Sequence, residues 1–169
     1  MKDNKKSFDK VHMHYDGFMK LFGLYREKEI SGVLNLKGYE RVLDIGGGTG
    51  YLADYLIREC NEYHVLDESE LMLSHVPKKK GIYTVLGDAL NLPFEDECID
   101  AVILSDVFHH IVDQEKLINE GLRVLKPGGK MLIHDFDIRH LRTKILRGFE
   151  KNYFGKLYFK TIDDVALMM

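Results

Sequence analysis

The sequence has few cysteines, little net charge and no long apolar run, and each of these absences excludes a class of protein. Cys60 and Cys98 lie far apart without metal-ligand spacing, so we predict inert thiols in a reducing compartment and no metal site. A formal net charge of −3 over 169 residues gives no general attraction for nucleic acid or anionic lipid. No apolar run is long enough to span a membrane, and the Lys-rich start lacks a secretion signal. We therefore expect one cytoplasmic domain.

The most informative stretch, residues 41–52, combines a short apolar strand, a glycine-rich turn and the start of a helix. Val42, Leu43 and Ile45 form the predicted strand, and apolar residues recur at helical spacing after position 51. The turn contains four glycines, which are Gly46, Gly47, Gly48 and Gly50. Glycines allow the backbone to approach a ligand closely, so the unit is typical of a nucleotide-type cofactor site. The alternative interpretation is an ordinary tight turn between core elements.

Short apolar segments alternate with helical segments through the chain as far as residue 133. Further strands are predicted at 63–66, 82–85, 99–104 and 131–133. Ser69 is predicted to cap a helix that Pro77 helps to close, and a helix around 117–125 should stop at Lys126-Pro127-Gly128-Gly129. This alternation predicts an α/β protein with a Rossmann-like, doubly wound, mostly parallel sheet, whose strand order we expect to be 3-2-1-4-5.

The segment before residue 38 carries no strand signal. Apolar residues at three- and four-residue spacing over 8–22 predict an amphipathic helix, and a second helix is expected between breaks at Gly23 and Gly32. These helices should pack against the sheet. We therefore predict that residues 1–37 form a helical cap on an α/β core of residues 38–136.

Acidic residues follow the predicted strands at the edge where a doubly wound sheet binds its ligand. Asp67 follows the second strand, 21 positions after Gly46, and Asp88 follows the third. A carboxylate at Asp67 suits the two hydroxyls of a ribose because it only accepts hydrogen bonds. Asp88 is placed to accept from an adenine amino group while the Ala89 N–H donates to the ring. Capping of strand ends by acids is the alternative interpretation.

The glycine spacing distinguishes between two types of adenosine cofactor. The dinucleotide fingerprint G-x-G-x-x-G needs a third glycine where this chain has Tyr51. Asp44 stands two residues before the turn, where its carboxylate would repel a pyrophosphate but not the ammonium group of a methionine moiety. The pattern D-x-G-x-G resembles the first motif of class I S-adenosylmethionine-dependent methyltransferases.

The resemblance to this family covers residues 38–136. The segments found in the family's order and spacing are Asp44 to Gly50, Asp67, Gly87-Asp88-Ala89, Leu92-Pro93-Phe94, Asp100 and Leu122-Arg123-Val124-Leu125-Lys126-Pro127-Gly128-Gly129. The start, Phe8-Asp9-Lys10-Val11 followed by Tyr15-Asp16, looks like the amino-terminal helix of the ubiquinone/menaquinone C-methyltransferase group. Tyr15 is either a cover for the cofactor or part of a helix–helix contact.

The resemblance implies that S-adenosylmethionine is the cofactor and assigns residues to its parts. The implied cofactor-binding residues are Asp44, Gly46, Gly47, Gly48, Gly50, Asp67, Glu68, Met72, Asp88, Ala89 and Ser105. Asp44 and the glycine turn would surround the methionine end, Asp67 would hold the ribose, and Asp88 would contact the adenine. Glu68 and Met72 would line the base.

Candidate catalytic bases cluster after the fourth and fifth strands. His109 and His110 are the catalytic candidates, because imidazole titrates near neutral pH and can accept a proton from the acceptor. The other candidate bases are Asp106, His134, Asp135 and Asp137. Alternatively, His109 and His110 pack on the core as a helix or loop edge. Residues 104–108 lack the Asn/Asp-Pro-Pro-Tyr/Phe sequence of families that methylate exocyclic amines of bases or glutamine, which favours a small-molecule acceptor over nucleic acid.

The carboxyl-terminal region, residues 137–169, is expected to be helical, basic and aromatic. Seven Lys or Arg residues and one acid lie between Arg139 and Lys160, interleaved with aromatic residues. This pattern predicts a lid for an anionic or aromatic acceptor, a contact with RNA or a membrane surface, or a solvated helix whose aromatics cover the fifth strand. We favour the last. Thr161 and Asp164 then form a capping-box pattern.

The family's sheet has seven strands, and no residues remain here for its last two. We therefore expect either a truncated or a naturally short protein. Either form leaves an open strand edge that other residues or another chain must cover, so we predict self-association.

The sequence is consistent with three functions. A methyltransferase acting on a small molecule is the leading hypothesis, and a catalytically silent S-adenosylmethionine-binding or interaction protein is the second. An NAD-dependent oxidoreductase is disfavoured by Tyr51 and by the absence of clear hydride-transfer residues.

Overall fold

A five-stranded sheet lies at the centre of the computed structural model, which describes residues 26–135 and 157–168. The strands are β1 (Arg41–Ile45), β2 (Glu62–Asp67), β3 (Ile82–Leu86), β4 (Ile99–Ser105) and β5 (Leu125–His134). The helices are α1 (Glu27–Leu34), α2 (Tyr51–Leu56), α3 (Glu70–Leu73), α4 (Gln114–Val124) and α5 (Ile162–Ala166), with a 3-10 turn at Phe108–His110. The four strand pairs are parallel, in the order β3-β2-β1-β4-β5. The predicted fold class and strand order are confirmed.

Side chains of the central strands alternate between two apolar clusters on opposite faces of the sheet. Val42 and Val65 belong to the cluster that includes buried residues of α1 and α2. Leu43 and Leu66 belong to the cluster that includes buried residues of α4. Because Asp44 is two residues from Val42, its side chain is on the α2 face of the sheet. The sheet therefore directs one carboxylate into an otherwise apolar layer.

Asp100 connects three strands at the amino-terminal edge of the sheet. Its Oδ2 accepts the N–H of Arg41, the first residue of β1, at 2.9 Å. Its Oδ1 accepts from Lys126 Nζ of β5 at 2.7 Å. This edge is opposite the one where β1 to β4 end, so the part played by Asp100 is to hold strands together.

The first helix differs from its prediction. α1 runs through Gly32 and ends at Leu34, and its C-cap residue, Asn35, adopts the left-handed conformation with φ +46°. The predicted break at Gly32 is therefore wrong, because a single glycine inside a helix costs only about 1 kcal/mol and tertiary packing outweighs it. Two of the buried residues that provide this packing are Ile30 and Leu34, which are 2% and 1% exposed.

The fifth strand also begins earlier than predicted. The preceding helix, α4, ends at Val124, just before the predicted stop at Lys126-Pro127-Gly128-Gly129. That segment is not a loop between helix and strand but lies within β5. The register between β4 and β5 shifts here, since Ile99 pairs with Leu125 and Ala101 with Lys130. Gly128, with φ +78°, provides the left-handed residue that such an irregularity commonly needs.

Some predictions fall at or beyond the limits of the described residues. The predicted helix over 8–22, Tyr15, Asp137 and most of the region 139–160 lie outside them. Within the described residues no strand follows β5, and α5 begins at the predicted capping box of Thr161 and Asp164. The division into a cap, a core and a basic region stays a prediction. So does self-association, which sedimentation at high concentration can check.

Gly32→Ala should raise the free energy of unfolding by about 1 kcal/mol, because alanine is favoured over glycine by about that amount inside a helix. A Cβ at Gly32 would meet no atom within 4 Å. Gly46→Ala should instead lower the free energy of unfolding by about 3 kcal/mol. Gly46 has φ +73°, and a Cβ there would lie 2.3 Å from Val107 Cγ2. Chemical denaturation measures both, and effects of the same sign would contradict the argument.

Candidate functional site

Backbone N–H groups of the glycine turn after β1 donate hydrogen bonds to other groups of the protein. The N–H groups of Gly46 and Gly47 donate to the Leu66 carbonyl at 2.7 and 3.2 Å. The Gly48 N–H donates to Asp67 Oδ2 at 3.1 Å. Turns that bind phosphate do so through N–H groups directed at the ligand. A turn with these donors engaged internally is poorly suited to a pyrophosphate.

The same turn packs closely on two side chains of the predicted cofactor site. A Cβ on Gly47 would lie 2.7 Å from Asp44 Oδ2, and a Cβ on Gly48 would lie 3.0 Å from Met72 Cε. Gly48 also has φ +57°, a conformation that L side chains rarely adopt. Position 47 therefore requires glycine because Asp44 is so close. Position 48 requires it because of the left-handed backbone and the proximity of Met72.

Asp67 ends β2 and connects the glycine turn to the start of α3. Its Oδ1 accepts the Ser69 N–H at 2.8 Å, while its Oδ2 accepts the Gly48 N–H. Ser69 in turn caps α3, where its Oγ accepts the Met72 N–H at 3.2 Å. Asp67 is half-buried. Two backbone donors from different segments therefore hold the predicted ribose-binding carboxylate in one orientation.

Asp44 is a buried carboxylate beneath the turn. It is 1% exposed, and its Oδ2 accepts from the Tyr63 hydroxyl at 3.0 Å. Its Oδ1 has no hydrogen-bond partner among the described residues. Burial raises the pKa of Asp44 to about 7, opposed by the Tyr63 hydrogen bond and assisted by the charge of Asp67. An ionised Asp44 is therefore costly in the protein alone, and a nearby positive charge would stabilise it.

Asp88, the third predicted acid, lies on the loop after β3 and is exposed. Its Oδ1 accepts the Leu90 N–H at 2.9 Å, so the carboxylate stabilises its own loop. The Gly87 N–H donates to the Asp67 carbonyl at 3.1 Å, which places the start of this loop beside the end of β2. Asp67 and Asp88 thus follow adjacent strands, whereas Asp44 is enclosed beneath the turn.

The remaining residues predicted to line the base differ in exposure. Ala89 is 9% exposed and belongs to the apolar cluster on the α4 face. Met72 is 4% exposed, and Glu68 is half-buried. The side chain of Ala89 is therefore part of the core, which leaves its backbone as the group available to a base.

Polar side chains also meet where β4 and β5 end. Ser105 Oγ lies 3.3 Å from the Tyr51 hydroxyl and 3.2 Å from His134 Nδ1. Asp106, which is 8% exposed and has φ +56°, places its Oδ1 3.7 Å from the same nitrogen. Burial lowers the pKa of His134. The sequence indicated Ser105, Asp106 and His134 separately, but the contact from Tyr51 was missed because nothing in the local pattern signals it.

His109 and Asp135 form a close pair beside this group. His109 Nδ1 lies 2.6 Å from Asp135 Oδ1, and the His109 backbone N–H donates to Asp135 Oδ2 at 2.8 Å. The His109 side chain is 1% exposed, and its ring centroid is 4.1 Å from that of His110. Burial, together with the charge of His109, holds the pKa of His110 well below its usual value. The two neighbouring histidines therefore have different electrostatic environments.

The chain at 157–161 packs on the 3-10 turn that carries both histidines. The Phe159 ring stacks on His109 at a centroid distance of 4.4 Å, and the Tyr158 N–H donates to the His109 carbonyl at 2.7 Å. Gln114 Nε2 donates to the carbonyls of Phe108 and Tyr158 at 3.0 and 2.8 Å. The aromatic residues of 139–160, Phe159 among them, are predicted from the sequence to form a lid, to contact RNA or a membrane surface, or to cover the fifth strand. Neither the stacking of Phe159 on His109 nor the role of Gln114 is among these predictions. Backbone contacts between distant segments leave no signal in the sequence.

The electrostatics of the turn distinguish between the two predicted cofactor types. Asp44 and Asp67 make its surroundings negative, and its donors are engaged within the chain. Both features suit a positively charged group better than a pyrophosphate. Tyr51, which stands where a dinucleotide site has its third glycine, directs its hydroxyl to Ser105 instead.

Comparison with known proteins decides the family. Residues 43–133, more than half of the chain, match the family described as a methyltransferase domain. The chain belongs to the class I S-adenosylmethionine-dependent methyltransferases. The demethylmenaquinone methyltransferase of Corynebacterium urealyticum is 33% identical to it over 150 residues, which are 86% of this chain and 63% of that protein. The predicted resemblance is confirmed.

Solved structures of methyltransferases share the fold. A S-adenosylmethionine-dependent methyltransferase from Thermotoga maritima superposes with a TM-score of 0.79 at 23% identity, covering 97% of this chain and 78% of that one. The phosphoethanolamine N-methyltransferase 2 of Haemonchus contortus, solved with S-adenosylhomocysteine and phosphomonomethylethanolamine, is 27% identical with a TM-score of 0.67. That alignment covers 82% of this chain and 34% of the other.

This methyltransferase-family chain spans about half to two-thirds of the length of the curated relatives that it matches. None of its described helices combines the length and the apolar character that crossing a membrane requires.

Proposed function

We propose that this chain transfers a methyl group from S-adenosylmethionine to a small-molecule acceptor. The observation that carries the proposal is the pair of carboxylates at the glycine turn, Asp44 buried beneath it and Asp67 bound to its Gly48 N–H. S-adenosylmethionine carries a sulfonium and an ammonium group, which negative surroundings stabilise. The curated relative and the two solved structures described above are each named as methyltransferases, which supports the same reaction.

We assign the cofactor-binding roles as the family resemblance implies them, and the contacts at the strand ends support the assignment of Asp67. Asp67, held in one orientation by two backbone N–H groups, accepts from the ribose hydroxyls. Asp88 accepts from the adenine amino group, and the Ala89 N–H donates to the ring. Asp44 and the glycine turn surround the methionine end. Met72, which is adjacent to Gly48, contributes apolar contact to the adenosine.

The protein's own contribution to the chemistry is orientation and proton removal. Bound S-adenosylmethionine supplies a methyl group on a positively charged sulfur, so the methyl carbon is the electrophile. The chain must hold the acceptor atom in line at about 3–3.5 Å from that carbon and exclude water. It must also accept a proton where the acceptor loses one.

His109 is the better candidate for that proton acceptor. Asp135 favours the tautomer with the proton on Nδ1, which leaves Nε2 as the basic nitrogen. His110 is the weaker base because burial lowers its pKa well below the usual value. Because Phe159 covers the His109 ring, the acceptor must displace or contact the segment 157–161 to reach it.

His109→Gln should lower kcat about 100-fold with an acceptor that loses a proton, which is the low end of a general-base effect. His110→Gln should change kcat no more than a few-fold. Asp135→Asn should lower kcat about tenfold without changing the KM for S-adenosylmethionine, because it acts only through His109. Steady-state kinetics with labelled S-adenosylmethionine measures all three. Wild-type turnover in His109→Gln would remove this residue from the mechanism.

Calorimetric titration with S-adenosylmethionine, S-adenosylhomocysteine and NAD tests the cofactor. We expect binding of the first two and none of NAD, because the turn's N–H groups are engaged. Binding of NAD alone would contradict the proposal. Methyl transfer from labelled S-adenosylmethionine can then be screened against metabolite extracts and small acceptors, beginning with demethylmenaquinone, the substrate in the name of a relative.

The second candidate is a catalytically silent S-adenosylmethionine-binding protein. Its support is the enclosure of both candidate bases, since His109 and His110 are 1% and 5% exposed. Cofactor binding without methyl transfer to any acceptor would favour it. Release of S-adenosylhomocysteine in a metabolite extract would favour the enzyme.

We also propose that the protein is cytoplasmic, that it forms a homodimer and that it does not act on nucleic acid. Cys60 and Cys98 are both free thiols, as a reducing compartment would maintain them. An acceptor that is a small metabolite requires no basic surface for nucleic acid.

A further inference from the structure

The family motif at residues 122–129 contains an arginine, Arg123, at the end of α4. Its contacts lie away from the strand ends described above. Arg123 and Glu120 lie one turn apart on α4 and form a two-pronged ion pair. Arg123 Nε donates to Glu120 Oε1 and its Nη2 donates to Glu120 Oε2, both at 2.8 Å. This geometry is the strongest form of an arginine–carboxylate contact and fixes both side chains.

The ion pair binds both backbone groups of Leu92, its N–H and its carbonyl. Glu120 Oε2 accepts the Leu92 N–H at 2.8 Å, and Arg123 Nη2 donates to the Leu92 carbonyl at 3.1 Å. Arg123 Nη1 donates further to the Phe94 carbonyl at 2.9 Å and to Asp96 Oδ1 at 2.7 Å. Two side chains of one helix thus hold the backbone at Leu92 and Phe94, and Arg123 also binds the Asp96 side chain.

The fixed backbone is the far end of the loop that begins at Asp88. The near end is compact, since Asp88 Oδ1 accepts the Leu90 N–H and Asp88 forms an isolated bridge with Asn91. Ala89 and Leu92 are 9% and 4% exposed, so both are packed in the core. Only two residues, Leu90 and Asn91, separate Ala89 from Leu92. A shift at Leu92 must therefore be transmitted to Asp88 and Ala89.

We propose that Arg123 and Glu120 are positioning residues for adenine recognition, acting through Leu92 on the Asp88 carboxylate and the Ala89 N–H. The proposal rests on the proposed function. Neither side chain touches the cofactor in this scheme. Their effect is to place one acceptor and one donor at the spacing of the adenine amino group and its ring nitrogen. Adenine is selected over a base with the reversed pattern, such as hypoxanthine, only while that spacing is maintained.

The test compares binding of S-adenosylhomocysteine with binding of S-inosylhomocysteine, which presents a carbonyl and a ring N–H in place of the amino group and the ring nitrogen. Wild-type protein should prefer the adenosyl compound by at least about 100-fold. Arg123→Met should reduce this ratio about tenfold, chiefly by weakening the adenosyl compound. It should also raise the KM for S-adenosylmethionine more than it lowers kcat. A purely structural loss would weaken both ligands equally and leave the ratio unchanged.

Two further variants keep the test interpretable if Arg123→Met folds poorly. Arg123→Lys keeps the charge but loses the two-pronged contact, so its ratio should fall between those of wild type and Arg123→Met. Lys126→Met is the matched control, because it removes a cation from the same motif whose partner is Asp100. Its ratio should equal that of wild type.

The outcomes separate this inference from the proposed function. If wild-type protein fails to bind S-adenosylhomocysteine, the proposed function is overturned and the inference with it. If wild type binds and discriminates, but Arg123→Met and Arg123→Lys discriminate equally well, the proposed function stands and the positioning role is overturned.

Discussion

Asp44→Asn should be more stable than wild type by about 4 kcal/mol at pH 8 and by only about 1 kcal/mol at pH 4.5. In the folded protein the pKa of Asp44 is raised to about 7 from its ordinary value of 3.8, chiefly by burial. The folded state thus binds this proton more tightly than the unfolded state. Wild-type stability should therefore fall as the pH rises from about 4 to about 7. Above pH 7 the loss of stability caused by ionised Asp44 should stay constant.

Asparagine removes this penalty while keeping the local structure. Its carbonyl can still accept the Tyr63 hydroxyl, which now donates to Asp44 Oδ2 at 3.0 Å. Urea denaturation of wild type and variant at both pH values measures the difference. Asp54→Asn is a suitable control, because Asp54 is in a half-exposed pair with Lys79 and should change stability by less than about 1 kcal/mol. A variant less stable than wild type at pH 8 would contradict the prediction.

The same substitution should weaken cofactor binding. A buried carboxylate that is costly in the free protein is stabilised by a bound cation, so we expect Asp44→Asn to bind S-adenosylmethionine about tenfold more weakly at pH 8. The loss should be smaller for S-adenosylhomocysteine, which lacks the sulfonium charge. Wild-type affinity for S-adenosylmethionine should also fall from pH 8 to pH 6, as Asp44 becomes protonated, and this fall should be reduced in the variant. Titration calorimetry at the two pH values measures both effects.

Asp67→Asn should reduce the affinity for S-adenosylmethionine about 1000-fold. In its proposed role Asp67 accepts two hydrogen bonds from the ribose, and hydrogen bonds to a charged acceptor are worth about 1.5–3 kcal/mol each. The amide is a poor replacement even without ligand. Both oxygens of Asp67 accept backbone N–H groups, from Gly48 and from Ser69, and an amide nitrogen would oppose one of these donors. We therefore also expect the variant to lose about 1–3 kcal/mol of stability.

Glu70→Gln provides the matched control for this change. Glu70 is exposed in the first turn of α3, so its substitution removes one negative charge close to Asp67 without removing an acceptor of the turn. Calorimetry should show a change in affinity of no more than a few-fold. If Asp67→Asn and Glu70→Gln weaken binding equally, net charge rather than a ribose contact accounts for the effect.

The sheet was predictable from the sequence because its three central strands, β1, β2 and β4, are buried on both faces. Such strands appear as short apolar runs, as at Val42-Leu43 and 101–104, and their carboxyl ends are marked by acids. The boundaries that were mispredicted are those where tertiary contacts override a local signal. Packing carries α1 through Gly32, and pairing with β4 continues β5 back to Leu125.

The resemblance to the family, the parallel sheet and the acids at its strand ends can be predicted from the chain alone, because they depend on apolar periodicity and on spacing along the chain. Which side chains meet across the sheet depends on the folded structure. The pairing of His109 with Asp135, the stacking of Phe159 on His109 and the hold of Arg123 on Leu92 each join residues at least 26 positions apart. The folded structure also raises the pKa of Asp44, because the low-dielectric layer that encloses this carboxylate makes its ionisation costly.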